Sequence, residues 1–296
     1  MPLLSLEEVG KGLPGREFAD LAIALGAHHP GAGWLLAGQR RRLLAPPADG
    51  HEAALLLARR DGRPVARLSA HRQADGEGCF GFLAVEGPGD DDAVGALLAA
   101  AARWLADRGA DTLIGPVSWT AAEEAGVLVA GNDQPAVTGR AWTPAWYGDL
   151  LEAAGLAVAE EQWSYRLAAG GNGPTLAPAD LVVPSDVNRF ADPALLLSDP
   201  DSGASVVAVP DLAGGLDGGG PRRRAWSLAR QARRREWAGC VVTALDGPPE
   251  VLIPGLCAAA GRAGYQWVLS PWAPDDQAPV MRHRLYRGAV AALVDT

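Results

Sequence analysis

The sequence is poor in cysteine and lysine, and both shortages limit what it can be. Its three cysteines, Cys79, Cys240 and Cys257, are far apart and odd in number, so they support neither a disulfide framework nor a paired CxxC metal motif. Lys11 is the only lysine, while arginine, alanine, glycine and proline are abundant. This bias is typical of GC-rich coding and weakens any inference from a single arginine or glycine. The cysteine pattern fits a reducing compartment and predicts a cytoplasmic protein.

Long apolar runs and several catalytic motifs are also missing. No stretch of about 18 uninterrupted apolar residues occurs, and the first residues, MPLLSLEEVGKG, do not form a signal peptide, so no membrane partner is expected. The five histidines show no HxxxH or HExxH spacing, which argues against a metal site. The absence of GxSxG argues against an α/β-hydrolase. A net charge of −9 gives no general attraction to nucleic acid.

What the sequence does contain is an alternation of strand and helix patterns. The spacing predicts a helix over 16–26 and a hairpin over 51–73 that turns at Asp61 and Gly62. A strand at 79–85 leads into a helix that Asp90 to Asp92 are placed to cap and that ends at Gly109. Later strands are predicted at 111–119 and 161–169, with a helix between them.

The order of elements then repeats after a linker rich in glycine and proline at 169–186. Strands are predicted at 204–212 and from Cys240, then a helix, a strand at QWVLSPW, a helix at APVMRHRLYRGA and a last strand at VAALVD. The repeat predicts two related α/β units, each with a mixed central sheet flanked by helices. We place the first unit at 1–169 and the second at 170–296.

Two phrases carry a resemblance to a known superfamily: GFLAVEGPGDDDAVGALLAAAARWLADRGADTLIGPVSW and WTPAWYGDLLEAAGLAVAEEQWSYRL. Together with the order of elements, they resemble the GNAT superfamily of acyl-CoA N-acyltransferases, and in particular its bacterial tandem members. The resemblance implies a cleft where two central strands diverge, an acyl thioester as donor and an amine as acceptor.

The sequence departs from that superfamily at the loop that usually holds the pyrophosphate of coenzyme A. The first unit has EGPGDDDA there, and the second has LDGPPEVLIPG. Carboxylates repel a pyrophosphate, and prolines remove backbone donors. The cofactor therefore stays unknown. Three alternatives remain: an acyl group from a carrier protein or an unusually bound acyl-CoA, an aminoacyl group from tRNA, or a repurposed fold that binds or modifies a small molecule by other chemistry.

A basic run over 221–235, PRRRAWSLARQARRR, is the one patch that suits RNA phosphates. Because the remaining surface is acidic, a solvated helix face is the favoured interpretation.

Candidate catalytic residues follow from the position of the predicted cleft. Trp119 ends a predicted strand, and Glu123 and Glu124 come after it. A carboxylate beside an indole has its pKa raised by desolvation, which suits a general base for an ammonium nucleophile. An exposed helical turn at AAEEAG is the alternative. The resemblance implies Tyr165 as general acid, although a strand also uses aromatic residues simply to pack.

Candidate substrate-binding residues lie mostly around the segment RAWTPAWYGDLLEAAGL. Trp142, Trp146 and Tyr147 predict an aromatic wall over the cleft, with a hydrophobic staple as the alternative. Arg140 suits a substrate carboxylate or a surface ion pair. We add Asp133, which is also a typical turn former, and His71, the histidine best placed to line a cleft.

The sequence thus predicts transfer of an acyl or aminoacyl group onto an amine of a small metabolite, within specialised metabolism. A repurposed fold is the rival.

Overall fold

The computed structural model describes residues 3–9, 13–26, 52–73, 76–119, 124–134, 137–179, 195–211, 238–274 and 276–294. Two predicted features fall outside these ranges: the candidate base Glu123 and the basic run over 221–235.

The described elements alternate between strands and helices along most of the chain. The helices are α1 (Leu13–Gly26), α2 (Asp91–Ala106), α3 (Tyr147–Ala153), α4 (Pro249–Arg262) and α5 (Val290–Val294). The strands are β1 (Leu4–Glu8), β2 (Ala53–Arg60), β3 (Arg63–Arg72), β4 (Gly78–Val85), β5 (Thr112–Gly115), β6 (Val127–Ala130), β7 (Ala157–Ala168), β8 (Ala177–Pro178), β9 (Leu195–Ser198), β10 (Ser205–Pro210), β11 (Gly239–Asp246), β12 (Trp267–Ser270) and β13 (Met281–Ala289).

The first elements follow the sequence pattern closely. The β2–β3 hairpin turns at Asp61 and Gly62, both at positive φ, as its turn residues predict. Asp90 occupies the N-cap position of α2, but its carboxylate accepts from the Gly87 N–H and from Arg60, and it makes no capping bond to the helix. The predicted cap is therefore made by Asp92 and not by Asp90: Asp92 Oδ1 accepts the Ala93 N–H over 2.8 Å, and this is one of the free N–H groups of the first turn.

Within the part of the chain that the structure describes, the thirteen strands form one mixed sheet. Its order is β1-β2-β3-β4-β5-β13-β7-β12-β11-β10-β9-β8, with β6 pairing β13. The pairs β4–β5 and β11–β12 are parallel, and the other pairs are antiparallel. A mixed α/β fold with a large mixed sheet confirms the predicted fold class.

Strands β7 and β13 join the two halves of the sheet. β13 lies between β5 and β7, so a strand far along the chain completes the sheet of the first half. The last residues of β7 leave β13 and pair with β12, as the register of Tyr165 with Ser270 shows. Each half therefore contains backbone hydrogen bonds supplied by the other half.

The C-terminal elements differ from the sequence prediction. Met281–Ala289 was predicted as a helix and is strand β13, while Val290–Val294 was predicted as a strand and is helix α5. Met281, His283 and Leu285 are buried, whereas the arginines between them are more exposed. That alternation has the period of two of a strand, and the interleaved arginines concealed it.

Three hydrophobic clusters cover the sheet. The largest packs α2, α3 and α5 against β2 to β5, and includes Leu68, Phe80 and Tyr147. A second packs α4 against β10 to β12, through residues such as Cys240 and Val268. A third cluster contains Val209, Val241 and Leu269, which alternate with the residues that face α4 and therefore lie on the opposite face of the sheet.

Candidate active site

Strands β4 and β5 diverge soon after they meet. Their parallel pairing is limited to Gly78 with Leu113 and Cys79 with Ile114. The register between β3 and β4 shifts at this level, and Phe82 has a φ of 51°, an unusual backbone conformation for a phenylalanine. Beyond Cys79, the edge of β4 is therefore no longer paired with β5.

The segment after β5 passes very close to β4. The Val117 N–H donates to the Phe80 carbonyl over 2.7 Å. A Cβ atom at Gly81 would overlap the carbonyl of Val117, so glycine is required by this close approach. The approach brings residues 117–119 onto the side of the sheet covered by α1.

Strand β3 carries a row of buried polar residues on that side. Ala66, Leu68 and Ala70 face the core beneath α2, so the alternate residues Arg67, Ser69 and His71 point the other way. All three are buried. The Ser69 hydroxyl lies 3.4 Å from His71 Nδ1, and Arg67 Nη1 donates to the Phe18 carbonyl of α1. Polar groups buried beside a cleft are candidates for substrate contacts.

Aromatic rings enclose this polar row. Trp119 is only 1% exposed, and its ring packs edge-on against His71 at 5.2 Å and against Phe82 at 5.0 Å. Phe82 also packs beside Phe18, Leu21 and Leu57. The rings exclude water from one side of the row, which strengthens electrostatic interactions there.

Glu124 lies beside the segment that ends at Trp119. Its carbonyl accepts the Ser118 N–H over 2.8 Å, and the following residue, Ala125, pairs with Val117. Desolvation raises the pKa of the Glu124 carboxyl, and the charge of Arg67 partly opposes this shift. We name the group formed by Arg67, Ser69, His71, Phe82, Trp119 and Glu124 the β3 polar cluster. It can hold an ammonium group and accept a proton from it.

The predicted aromatic wall lies elsewhere in the fold. Tyr147 belongs to the core beneath α2, where its hydroxyl accepts from the Val85 N–H at 2.7 Å and donates to the Val85 carbonyl at 3.3 Å. Burial raises the pKa of Tyr147 to about 12. Trp146 is partly buried and packs against the Tyr147 ring at 4.7 Å. The Tyr147 hydroxyl thus occupies the free edge of β4.

Arg140 and Trp142 lie against the second half of the sheet. Arg140 Nη2 donates to the Val242 carbonyl of β11 over 3.2 Å, and burial lowers the pKa of Arg140 to about 10. Trp142 packs into the third cluster beside Val241. The preceding residue Thr138 donates from both its N–H and its hydroxyl to Asp211 Oδ1, each over 3.0 Å. Residues 137–147 therefore contact both halves of the sheet.

Two other predicted residues are also remote from Trp119 in their contacts. Asp133 is exposed in the turn after β6, where Gln134 donates to it. Tyr165 is aligned with Ser270 of β12 and packs against the second cluster.

The acidic loop between β4 and α2 is paired with arginines of the β2–β3 hairpin. Arg60 binds Asp90 at 2.9 Å and Asp92 at 2.6 Å, and Arg63 binds Glu86. Arg60 lowers the pKa of Asp92. Three of the four carboxylates in the loop EGPGDDDA are therefore paired with arginines, and the loop repels anions less than its sequence suggests.

Sequence reasoning found His71, Trp119 and Glu124 but missed their neighbours Arg67, Ser69 and Phe82. The signal was present in RPVARLSAHR, where polar residues occupy alternate positions of an otherwise apolar strand. Phe82 gives no signal of its own, because its positive φ follows from the register shift between strands.

Searches for other kinds of site give no candidate. In the described ranges, no group of three or more His, Cys, Asp or Glu side chains is arranged to hold a metal ion. No helix among those residues is long and apolar enough to cross a membrane. The three cysteines are free and buried.

Comparisons of the whole fold place the chain among known structures. No protein-family model matches it. The tandem GNAT protein of the clavulanic acid biosynthesis pathway superposes with a TM-score of 0.55 at 13% identity, covering 97% of this chain and 99% of that one. A probable N-acyltransferase from Enterococcus faecalis V583 gives 0.54 at 10% identity, covering 98% and 73%. The fold is GNAT-like, as the sequence predicts.

One relative found by sequence has an activity in its name. The bacterial ceramide synthase of Caulobacter vibrioides (strain NA1000 / CB15N) is 33% identical over 177 residues. The match covers 55% of this chain and 45% of that protein, so the chain spans less than half of its relative's length.

Proposed function

We propose that this protein is an N-acyltransferase that moves an acyl or aminoacyl group from a thioester or ester donor onto the amine of a small metabolite. One observation carries the proposal: desolvation raises the pKa of the Glu124 carboxyl, and Glu124 is bonded through its backbone to Ser118, next to Trp119, where β4 and β5 diverge. Such a carboxyl suits a general base that must release and accept a proton near neutral pH.

The proposed reaction starts with an ammonium group held by the β3 polar cluster. Glu124 takes a proton from the ammonium, and the neutral nitrogen attacks the carbonyl carbon of the donor. The C–N bond forms, the bond from carbon to the leaving sulfur or oxygen breaks, and the leaving group takes up a proton. Tyr165 remains our predicted source of that proton, and Glu123 remains the alternative base.

The donor is proposed to be an acyl-CoA or a carrier-bound acyl thioester. Pairing of the acidic loop with Arg60 and Arg63 supports this view, because it removes much of the repulsion that a pyrophosphate would meet. A tRNA donor rests on the basic run alone.

For the acceptor, the ceramide synthase relative supports an aliphatic amine, since a ceramide is a fatty amide of a long-chain amino alcohol. We further propose that residues 1–169 carry the site and that residues 170–296 form a second, supporting unit. Free cysteines support a cytoplasmic location. Arg140, Trp142, Trp146, Tyr147 and Asp133 remain predicted substrate contacts of lower priority, because their contacts lie outside the β3 polar cluster.

The first experiment follows thiol release from acetyl-CoA and long-chain acyl-CoA in the presence of a panel of amines. Replacing Glu124 with Gln should lower kcat by at least about 100-fold, since general bases contribute about that much. It should also remove the acidic limb of the pH profile, whose apparent pKa lies above the ordinary value of 4.5. Glu250→Gln, an exposed change on α4, is the matched control. Full activity in Glu124→Gln would remove this carboxyl from the mechanism and direct attention to Glu123.

One observation favours the rival function, binding without acyl transfer. The Tyr147 hydroxyl bonds to both polar groups of Val85, so part of the edge of β4 is already occupied. Calorimetric titration with acetyl-CoA and free CoA separates the two functions. Micromolar binding supports the transferase, whereas no heat at millimolar ligand, together with no thiol release, supports a repurposed fold.

A further inference from the structure

Arg67 is a buried cation that the proposed reaction does not use. It is 7% exposed, and its guanidinium lies over the Phe18 ring at 4.7 Å. Its Nη1 donates to the Phe18 carbonyl, which accounts for one of its five N–H groups. Among the described residues, its Nε has no hydrogen-bond partner. The contact to α1 therefore explains only one end of the guanidinium.

No carboxylate of the described residues pairs directly with Arg67. Ion pairs within 4.0 Å occur at several other arginines but not at this one. Burial lowers the pKa of Arg67 to about 10, so it is still charged at neutral pH, and Glu124, Tyr147 and Asp20 favour its charged form from a longer range. A buried cation without a close anion is costly, and proteins usually provide a partner.

Arg67 and Glu124 have opposite charges in one cluster without forming a close pair. Desolvation raises the pKa of the Glu124 carboxyl, and the charge of Arg67 opposes this rise. Two groups of opposite sign, neither of them in an ion pair with another described residue, can bind the two ends of a zwitterion. The Nε edge of a guanidinium, together with the adjacent Nη2, is the edge that pairs bidentately with a carboxylate.

We propose that Arg67 binds the carboxylate of the acceptor, and that the acceptor is an amino acid whose ammonium group faces Glu124. Phe18, Phe82 and Trp119 surround the polar row, so they supply the apolar contact for its side chain. This inference rests on the proposed function, because it names the substrate class of the same site.

The first test needs neither an acyl donor nor a variant. The twenty standard L-amino acids are screened by thermal shift, and the best binder is then titrated beside its decarboxylated amine and its amino alcohol. We expect the amino acid to bind at least about 100-fold more tightly than either analogue, since both leave the buried guanidinium without an anion. Equal or tighter binding of the amine or amino alcohol overturns the inference, and so does the absence of binding by any amino acid at 10 mM or below, about the highest useful concentration.

The second test uses variants of the full chain. Arg67→Lys keeps the charge but loses the bidentate edge, and should weaken the amino acid at least about 10-fold while changing the binding of its amine analogue little. Arg103→Gln, an exposed change on the opposite side of the sheet, is the matched control. A loss of affinity that is equal for both ligands would mean that Arg67 acts only by anchoring α1. These are binding measurements, so the two proposals can fail separately. Amino acid binding without thiol release would reject the proposed function and leave this subsite standing. Thiol release with simple amines alone would support the proposed function and reject this subsite.

Discussion

The two halves of the sheet repeat one arrangement but use it differently. In the first half, the register shifts between β3 and β4, and α2 follows β4; in the second, it shifts between β10 and β11, and α4 follows β11. The face that turns away from the helix is polar in the first half and apolar in the second, where Val209, Val241 and Leu269 pack with Trp142. The same backbone arrangement thus lies beside the β3 polar cluster in the first half and beside a packed apolar cluster in the second.

The halves also differ in what contacts their diverging strands. The Tyr147 hydroxyl bonds to Val85 of β4, whereas the Arg140 guanidinium bonds to Val242 of β11. Both side chains come from residues 137–147. One short segment therefore serves both halves, and its aromatic residues are part of the joint between them.

The largest effect on both halves of the sheet is expected from removing β13, the late strand that completes the first half. A chain ending at residue 280 lacks β13, which leaves β6 and much of β7 without a partner and opens one edge of β5. We expect loss of cooperative unfolding, measured by circular dichroism during heating. If a fragment of residues 1–169 unfolds cooperatively by itself, the first half is an independent unit and the shared strand is not essential.

Acid should lower the free energy of unfolding through His283, a residue of β13 that is 1% exposed and that contacts residues 137–147. Its Nε2 lies 2.8 Å from the Ala141 carbonyl, and burial lowers its pKa from 6.5 to about 4. The folded protein binds fewer protons than the unfolded chain between these values, so stability is lost as the pH falls through this range.

The expected loss from His283 is about 3 kcal/mol between pH 7 and pH 4, at about 1.4 kcal/mol per pKa unit. Urea unfolding at a series of pH values measures it. Subtracting the profile of His283→Gln, whose amide can still donate to Ala141, isolates this residue from the carboxyl groups. Identical profiles for the two proteins would assign the acid sensitivity to other groups.

Substitutions of Tyr147 and Arg140 should separate the two contacts of residues 137–147. Tyr147→Phe leaves the buried N–H of Val85 without its partner, and we expect a loss of about 2 kcal/mol. Arg140→Met also removes a contact, but it relieves the burial of a charge, so we expect a change below about 1 kcal/mol. Denaturant unfolding of both variants tests this order, and a larger loss in Arg140→Met contradicts it.

The smallest effect is expected at the acidic loop of the first half. Arg60 is partly exposed and pairs with Asp90 and Asp92. Arg60→Gln should lower the Tm slightly at low salt, and the difference should vanish at 1 M salt because exposed pairs are screened. A salt-independent decrease would show that Arg60 supports the loop by packing.

The sequence predicts the first half of the fold better than the second. The Asp61–Gly62 hairpin and α2 follow from local turn residues and helical spacing, and the structure shows both. Strand β13 was predicted as a helix because its arginines obscure a period of two, and because its partners are distant in sequence. Local patterns carry no information about such pairing.

The candidate site shows the same limit. Trp119 and Glu124 are close in sequence, and residue chemistry alone brought them to attention. Arg67 lies on another strand, and only the register of β3 places it on the same face as His71. Trp142 and Tyr147 are residue types that suit a pocket wall, yet they pack in two different hydrophobic clusters. The type of a side chain does not reveal in which cluster it packs.

The position of β13 also has a consequence for synthesis on the ribosome. Ile114 is aligned with Arg287, about 170 residues later in the chain. Until the ribosome has made that strand, β5 has one open edge and the first half of the sheet is incomplete. Pairing between such distant residues slows folding, and open strand edges favour aggregation. The nascent chain therefore exposes the edge of β5 for longer than a chain whose halves fold in succession would.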